Sequence, residues 1–314
     1  MTDLAIFPQT HVNLSTTWQA DFRAWLIDQG SSSNTLSAYL SDLSRFAAWF
    51  AQVNLEPLAP ELVTGTDLRA YREYSLETEK VAASTWNRRR ISLARFCHWA
   101  QLAGHINYNP FQGVQPMDEV EQPPHWLDRP DQARVMRLVE RMANTATTDA
   151  WRRQAARDQA MVALMRYCGL RVGEVVTLDL GDIALSERAG RIIVRRGKGD
   201  KKRTIPMNTE ARRSVEHWLA LRGPGSDGEP VFTGKATDRL TTRTVQRRVQ
   251  EIGRLAEVDF TPHQLRHTFL KRMVENGVPV TDAQKLAGHS RIETTKRYLT
   301  PGWEDLTAAV EKSI

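Results

Sequence analysis

The sequence predicts a mainly α-helical protein of two domains, with a small antiparallel β-hairpin or sheet in the second domain (an α+β class). Three observations support this prediction. The chain has 314 residues, which is longer than one hydrophobic core usually serves. Apolar residues recur at helical spacing along most of its length. One stretch instead has β-branched residues on both sides of a glycine-rich turn: RIIVRRGKGDKKRTIPM, residues 191–207.

Four amphipathic helices are predicted in the first domain. The first contains Trp18, Phe22 and Leu26, and the second lies in SSSNTLSAYLSDLSRFAAWF, with Ser33 or Asn34 as its N-cap. The third and fourth lie in residues 66–77 and 84–104, the fourth ending at a glycine. This fourth helix begins close to three consecutive arginines, residues 88–90, so at least two of them face away from its apolar stripe.

A proline-rich stretch, residues 107–127, separates the two halves of the chain. We therefore predict a helical domain over residues 1–113, a linker over 114–127 and a second domain over 128–314. In the second domain, helical patterns precede the predicted hairpin at residues 131–142 and 157–169. Further helical patterns follow it at residues 211–223, 242–258, 261–276 and 281–289.

Composition and charge limit the classes of function. Hydrophobic residues make up 41 % and charged residues 25 %, no run of about 18 apolar residues occurs, and the N-terminus lacks a signal-peptide pattern. A cytoplasmic protein is expected. The two cysteines, Cys97 and Cys168, lie in apolar helical patterns, which favours buried thiols over a disulfide and excludes a cysteine metal cluster.

The positive charge is concentrated in the second half. Residues 1–123 contain 9 Lys and Arg against 13 Asp and Glu, whereas residues 124–314 contain 34 against 24. A basic surface of this kind favours a polyanionic partner, because Lys and Arg that neutralise phosphates release condensed counterions. The alternative is a solvated basic face without a partner, and charge by itself leaves it open.

The stretch TPHQLRH predicts a helix start that can hold an anion. Thr261 fits an N-cap, Pro262 the first helical residue, and Gln264 the other half of a capping box. His263 then lies in the first turn, and Arg266 projects from the same face, so one phosphate could contact both. A capping histidine is the alternative for His263.

Two other features could contribute cations, although each is also common on a solvated surface. Arg171 follows a glycine that ends a helix, and Glu174 three residues later could pair with it and fix its direction. Lys198 lies between two glycines at the tip of the predicted hairpin. His267 is four residues after His263, but the HExxH glutamate is missing, so we predict no metal site.

His289 follows a glycine after a short helical pattern, and Tyr298 comes nine residues later. A phenol has an ordinary pKa near ~10, so it is a poor nucleophile at neutral pH unless cations stabilise the developing phenolate. Core packing is the ordinary role of a tyrosine in a helical pattern, and Tyr298 viewed alone indicates no more than that.

The order of these residues along the chain resembles that of the tyrosine recombinases of the phage integrase family, most closely the Xer type. The resemblance extends from about residue 15 to the end. Four motifs occur in family order: GLRVGEVVTLDLGDI, GKGDKKRTIPM, HQLRH and LAGHSRIETTKRYLT. The second half of HQLRHTFLKRM departs from the Xer pattern, with Leu270 and Lys271 where small residues are usual.

The resemblance implies a two-domain, C-shaped clamp around double-stranded DNA that cuts and rejoins strands at a paired core site. Tyr298 would form a 3′-phosphotyrosyl bond, and the reaction would pass through a Holliday junction without metal, nucleotide or other cofactor. The implied catalytic set is Arg171, Lys198, His263, Arg266, His289 and Tyr298. The implied DNA contacts are Asn34, Thr35, Arg88, Arg89, Arg243 and Arg247.

The family also implies an assembly of four subunits, identical or of two kinds, that exchange C-terminal segments on two DNA sites. Here the segment is WEDLTAAVEKS, with an apolar face of Trp303, Leu306 and Val310. A bacterial, nucleoid-associated protein is implied. Three other functions stay open: a mobile-element integrase or transposase, a non-catalytic DNA-binding regulator on this scaffold, and phosphodiester hydrolysis or DNA relaxation of the topoisomerase type.

Overall fold

The computed structural model describes residues 17–118, 125–195, 202–234 and 238–288. The chain divides into two compact units, Met1–Glu121 and Gln122–Ile314. Each unit has its own hydrophobic core. None of the helices in the described ranges combines the length and the apolar character needed to cross a bilayer.

The first unit is helical, as predicted. Its elements are α1 (Thr17–Asp28), α2 (Ser33–Asn54), a 3-10 turn (Pro60–Leu62), α3 (Gly65–Glu73), a π-helical turn (Tyr74–Thr78) and α4 (Ala83–Leu102). The predicted apolar stripes form its core, in which Phe22, Phe46, Trp86 and Phe96 are fully buried. Cys97 is buried and free, as expected.

The N-cap of α2 is Ser32, one residue before the predicted Ser33. The Ser32 backbone is extended, and its Oγ accepts a hydrogen bond from the Thr35 backbone N–H at 3.1 Å. Three consecutive serines offer the same capping oxygen, so the pattern of residue types does not distinguish among them. The prediction was wrong by one residue, because the path of the entering chain selects which serine is extended.

The first residues of the predicted linker pack against α4 instead of connecting freely. Val114 is buried, the Asn87 side chain both donates to and accepts from the Met117 backbone at 2.8 Å, and the Trp86 indole N–H donates to the Gln115 carbonyl. Residues 114–118 therefore belong to the first unit, and the predicted boundary at residue 113 comes too early.

The second unit contains α5 (Arg129–Thr145), α6 (Asp149–Tyr167), α7 (Val172–Thr177) and a 3-10 turn (Leu180–Asp182). These are followed by β1 (Ile183–Leu185), β2 (Gly190–Val194), β3 (Arg203–Met207), α8 (Thr209–Arg222), α9 (Thr242–Ala256), α10 (Pro262–Glu275) and α11 (Val280–Ala287). The predicted hairpin is confirmed, since β2 pairs with β3 antiparallel, Ile192 opposite Ile205. The edge strand β1 completes a three-stranded sheet with the order β1-β2-β3.

Helix α6 is the centre of the second core. Residues Ala160 to Met165 are all buried, and α5, α8 and α10 pack around this helix. The start of α10 is as predicted: Thr261 caps it, Pro262 is in its first turn, and Gln264 completes the capping box. Because the core is apolar around α6, the charged side chains that reach inward are held by specific partners at its edge.

Gly169, just past the end of α6, provides a test of how this edge is packed. Its φ is +65°, and a Cβ built there would lie 2.3 Å from the Phe269 ring. Gly277 has a similar φ of +77°, but a Cβ there would meet nothing within 4 Å. We expect Gly277→Ala to lower the free energy of unfolding by about 1–2 kcal/mol, and Gly169→Ala by about 1–3 kcal/mol more, because it also overpacks the core.

Native-state hydrogen exchange at the amides of α6 measures both variants on the same unit. Gly277→Ala is the matched control for the backbone conformation. Equal losses in the two variants would contradict the packing of Phe269 against Gly169.

Candidate active site

One carboxylate, that of Glu174, gathers three arginines in the second unit. The Arg171 guanidinium donates to Glu174 Oε1 at 2.9 Å, and the Arg171 backbone N–H donates to Oε2 at 2.8 Å. Arg203 on β3 donates to both oxygens, each at 2.9 Å. The Arg266 guanidinium lies 4.0 Å from Oε2. The predicted pair between Arg171 and Glu174 is therefore present, and it is part of a larger cluster.

The same three arginines bind the C-terminal end of α11. Arg203 Nε donates to the Leu286 carbonyl at 2.9 Å. Arg266 Nη2 donates to the Ala287 carbonyl at 2.6 Å, and Arg171 contacts the Ala287 and Gly288 carbonyls at 3.4 Å. The last carbonyls of a helix have no partner within the helix and carry partial negative charge, so cations stabilise them.

Arg266 is the most enclosed member of the cluster, with 1 % of its surface exposed. Besides its bond to Ala287, its Nη1 donates to the Gly169 carbonyl at the end of α6. The side chain therefore joins α10 to the ends of α6 and α11. Arg171, whose side chain is 38 % exposed, is the member that faces solvent. The Gly169 and Ala287 carbonyls hold the Arg266 guanidinium at the edge of the core.

The cluster strongly favours the ionised form of Glu174. Burial by itself raises the pKa of a carboxyl group, but hydrogen bonds and charge from Arg203 and Arg171 outweigh it and lower the pKa of Glu174 to about 2. The carboxylate is thus charged throughout the physiological range. It balances part of the positive charge that three neighbouring guanidiniums create.

His263, in the first turn of α10, lies within the field of this cluster. Partial removal from water lowers its pKa, and the positive charges of Arg266 and Arg171 lower it further. Its ring packs edge-on against His267, with the centroids 4.2 Å apart. A lowered pKa keeps His263 neutral at pH 7, so one ring nitrogen can donate a hydrogen bond while the other accepts.

A cleft of about 570 Å³ opens beside the start of α10. Helix α9 buries Val245, Val249 and Ile252 and turns its opposite face toward the cleft. The lining residues are Thr241, Arg243, Thr244, Gln246, Arg247, Gln250, Thr261 and Pro262. Both arginines predicted on α9 are therefore in the cleft, one turn apart and next to the helix start that carries His263.

Three of the six predicted catalytic residues lie in the described ranges: Arg171, His263 and Arg266. The structure brings them together, since the two arginines share the Ala287 carbonyl and both lower the pKa of the histidine. Lys198, His289 and Tyr298 lie outside the described residues, as does the predicted C-terminal helix face. Gly288, to which Arg171 Nη2 donates, immediately precedes His289 in the sequence.

The predicted DNA contacts of the first unit differ in exposure. Asn34 is exposed and Thr35 half-buried in the first turn of α2. Arg88 is 45 % exposed, and its Nη1 lies 2.5 Å from the buried Asp42 carboxylate, which fixes the direction of its side chain.

Arg89 is a correction to the predicted set. It is buried, pairs with Glu79, and donates to the Ser75 hydroxyl at 3.2 Å. In a run of three arginines on a helix, one necessarily points toward the packed face. Arg89 is that one, so its guanidinium serves the core of the first unit and is not available to a surface ligand.

Sequence reasoning missed Arg203. It lies in the predicted hairpin, and a strand residue after a glycine-rich turn has no partner in the local sequence that would indicate a role. Its alternation within RTIPM was the available signal: Ile205 and Met207 are buried, so Arg203 shares their face and points inward with them. An arginine on a buried face requires an acidic partner.

Family models match most of the chain. The phage integrase family matches residues 133–302, and the N-terminal SAM-like domain of phage integrases matches residues 20–104. The chain belongs to the phage integrase family. Within it, the curated relatives identify this chain as a tyrosine recombinase similar to the Xer type.

Two of these relatives are tyrosine recombinases XerC. That of Chromohalobacter salexigens is 31 % identical over 291 residues, covering 90 % of this chain and 91 % of the relative. That of Vibrio parahaemolyticus is 31 % identical over 290 residues, covering 91 % and 88 %. The tyrosine recombinase thus aligns with these relatives through both of its units.

Solved structures share the fold at lower identity. The XerH site-specific recombinase bound to a palindromic difH substrate has a TM-score of 0.70 at 18 % identity, covering 88 % of this chain and 78 % of that one. A λ integrase dimer bound to a COC′ core site has a TM-score of 0.65 at 19 % identity, covering 90 % and 93 %. The helical architecture with a small antiparallel sheet is confirmed.

Acid should weaken the second unit through Glu174. The pKa of this group is about 2 in the folded protein, against an ordinary value of 4.5. Its contribution, roughly 3 kcal/mol by linkage, is therefore complete above pH 4.5 and is lost as the pH falls toward 2. We expect Glu174→Gln to be much less stable than the wild-type protein at pH 7 and to approach it below pH 3.

Denaturation at a series of pH values, followed by hydrogen exchange in α7, measures this difference. Glu187→Gln, which removes an exposed carboxylate between β1 and β2, controls for the change in net charge. A Glu174→Gln deficit of constant size from pH 7 to pH 3 would contradict the assignment.

Proposed function

We propose that this protein is a site-specific DNA recombinase that cuts and rejoins DNA through a 3′-phosphotyrosyl intermediate and a Holliday junction. The single observation that carries the proposal is that Arg171 and Arg266 share the Ala287 carbonyl at the end of α11, while an arginine-lined cleft opens beside the start of α10, where His263 lies. These residues are scattered over about 95 positions of sequence, and membership of the phage integrase family gives their meeting a chemical purpose.

The proposed reaction begins with attack by the Tyr298 hydroxyl oxygen on the phosphorus of a DNA phosphodiester. A phosphorus–oxygen bond to tyrosine forms, the bond to the 5′-oxygen of the next nucleotide breaks, and the phenolic proton leaves with a base. The departing oxygen takes up a proton and becomes a 5′-hydroxyl. Because the phosphotyrosyl bond conserves the energy of the broken linkage, attack by a 5′-hydroxyl from the partner duplex rejoins the strands.

Arginines suit the charge that accumulates on the nonbridging oxygens, since a planar guanidinium can donate two parallel hydrogen bonds to a phosphate. We assign the direct contact first to Arg171, which is the exposed member of the cluster. Its bonds to the Ala287 and Gly288 carbonyls are long, at 3.4 Å, and can be exchanged for phosphate oxygens at little cost. Arg266 supplies a second positive charge beside Arg171, from a side chain that its bonds to the Gly169 and Ala287 carbonyls hold in place.

Proton transfer is assigned to the remaining members of the set. The lowered pKa of His263 suits a neutral imidazole that passes a proton or donates a hydrogen bond at pH 7. Lys198 is proposed to protonate the departing 5′-oxygen, and His289 to donate to the scissile phosphate. These two roles come from the family and from the position of the residues in its motifs.

DNA binding is assigned to both units. In the second unit, Arg243 and Arg247 in the cleft are proposed to contact backbone phosphates next to the scissile one. In the first unit, Asn34 and Thr35 lie in the first turn of α2, where the helix dipole favours a phosphate, and Arg88 is directed by Asp42. We propose that both units contact the duplex.

Recombination needs two duplexes, so we propose a tetramer on a pair of core sites. The segment after Tyr298 is proposed to dock on a neighbouring subunit through Trp303, Leu306 and Val310. Chromosome-dimer resolution and movement of a phage, plasmid or transposable element are both compatible with this chemistry. A truncation after Thr300 should bind a single site but fail to recombine paired sites.

A nicked suicide substrate tests the chemistry. Cleavage close to the nick releases a short fragment, so the covalent protein–DNA adduct accumulates and appears as a slow band on a denaturing gel. We expect an adduct with the wild-type protein and none with Tyr298→Phe. Arg171→Lys should form it about 10²–10³-fold more slowly, because lysine cannot donate two parallel bonds to the phosphate.

The control is a mobility shift showing that each variant still binds the site. Binding without any adduct would support the non-catalytic regulator. Relaxation of supercoiled DNA without a defined target would support the topoisomerase-type activity.

Salt dependence tests the cleft. We expect Arg243→Gln and Arg247→Gln each to weaken binding and to reduce the slope of log K against log salt by about 1, because each loses one phosphate contact. Arg213→Gln on α8 makes the same charge change at an exposed position outside the cleft and should leave the slope nearly unchanged. Three identical slopes would place the DNA elsewhere.

A further inference from the structure

The Arg203 side chain forms hydrogen bonds that are not needed for the pairing of its strand, β3. It uses all three nitrogens of its guanidinium, two on the carboxylate of Glu174 and one on the Leu286 carbonyl, each at 2.9 Å. Its side chain is 12 % exposed. A fork with both terminal nitrogens on one carboxylate is the most directional ion pair available to a protein. The third bond fixes the fork itself to the end of α11.

The two hydrogen bonds from Arg203 to Glu174 limit how Glu174 can bind Arg171. Glu174 Oε1 accepts from both Arg203 Nη1 and Arg171 Nη1, each at 2.9 Å. Arg203 occupies one side of each carboxylate oxygen, and the Arg171 backbone N–H also donates to Oε2, so the Arg171 guanidinium binds Oε1 alone. The Arg171 guanidinium is therefore held by Glu174 at a single point, through Nη1, and keeps its remaining donors for weaker and exchangeable contacts.

We propose that Arg203 is a positioning residue for DNA cleavage: anchored on the end of α11, it orients Glu174, and Glu174 directs the Arg171 guanidinium toward the scissile phosphate. The inference rests on the proposed function. It adds to the six family residues a seventh that touches neither the phosphate nor the nucleophile. It also connects the strand that follows the Lys198 turn to the helix that precedes His289, since Arg203 lies on β3.

The alternative is that Arg203 only stabilises the fold. Both roles predict damage from Arg203→Gln, so the test must separate them. A substrate with a methylphosphonate at the scissile position does so, because a methyl group replaces one nonbridging oxygen and the linkage becomes neutral. Cleavage of that linkage no longer needs a positive charge directed at the oxygen, whereas it still needs a folded protein.

The experiment measures single-turnover cleavage of nicked phosphodiester and methylphosphonate substrates at saturating protein, with DNA affinity measured separately. We expect Arg203→Gln to slow phosphodiester cleavage about 10–100-fold, the range for losing a residue that orients a direct contact. On methylphosphonate the loss should be less than about 3-fold, with DNA affinity unchanged within about 3-fold. Arg203→Lys should stay impaired, because a single ammonium cannot reproduce the fork.

Arg195→Gln is the matched control. Arg195 follows β2, pairs with Asp182 at 2.7 Å and is 53 % exposed, so its loss removes a hairpin ion pair away from the cluster. It should cleave both substrates at wild-type rates. A second check is a double variant: added to Arg171→Lys, Arg203→Gln should cost little more, because the two act through one contact.

Each outcome decides a separate question. Equal losses on the two substrates, or full additivity with Arg171→Lys, would make Arg203 a structural residue and overturn the inference. Wild-type rates for Arg203→Gln would overturn it as well. If the wild-type protein itself forms no adduct on a site that it binds, the proposed function fails instead, before the variants are compared.

Discussion

The arrangement of the second unit depends on one buried carboxylate and the arginines around it. Three guanidiniums lie within hydrogen-bonding or ion-pair distance of this one carboxylate, and without an anion among them they would repel one another. Glu174 supplies that anion, and the last carbonyls of α11 supply additional negative potential. Because burial of an unpaired charge is costly, the cluster is stable only when all its members are in place. This mutual dependence ties α7, β3, α10 and α11 into one site.

The same constraint explains how the site can meet a phosphate. A cluster with more positive than negative charge has an unsatisfied demand for an anion, and a phosphodiester meets it. The transition state carries more charge on its nonbridging oxygens than the ground state, so a preorganised cationic site favours it. The rigid members, Arg266 and Arg203, are those with short bonds to carbonyls. The exposed member, Arg171, has long bonds that a substrate can replace.

Charge is handled differently in the first unit, where the arginines serve packing and direction. The buried Arg89 pairs with Glu79. Arg88 is partly exposed, and its guanidinium pairs with the buried Asp42 carboxylate. Adjacent residues on a helix differ by about 100° in direction, so neighbours of identical type can take opposite roles. The first unit therefore offers fewer free cations than its sequence suggests, in keeping with its excess of acidic residues.

The sequence by itself determined the elements that depend on short-range rules. Apolar periodicity located ten of the eleven α-helices in the described residues, all but the six-residue α7. Residue types identified the capping box of α10 and the β2–β3 hairpin, and motif order indicated the family. It could not decide which serine caps α2, where the first unit ends, or that Arg89 and Arg266 point inward. It gave no role to Arg203, whose partners lie 29 and 83 residues away. Those features depend on contacts between distant segments, and the energy of such a contact exists only once the chain has brought the two groups together.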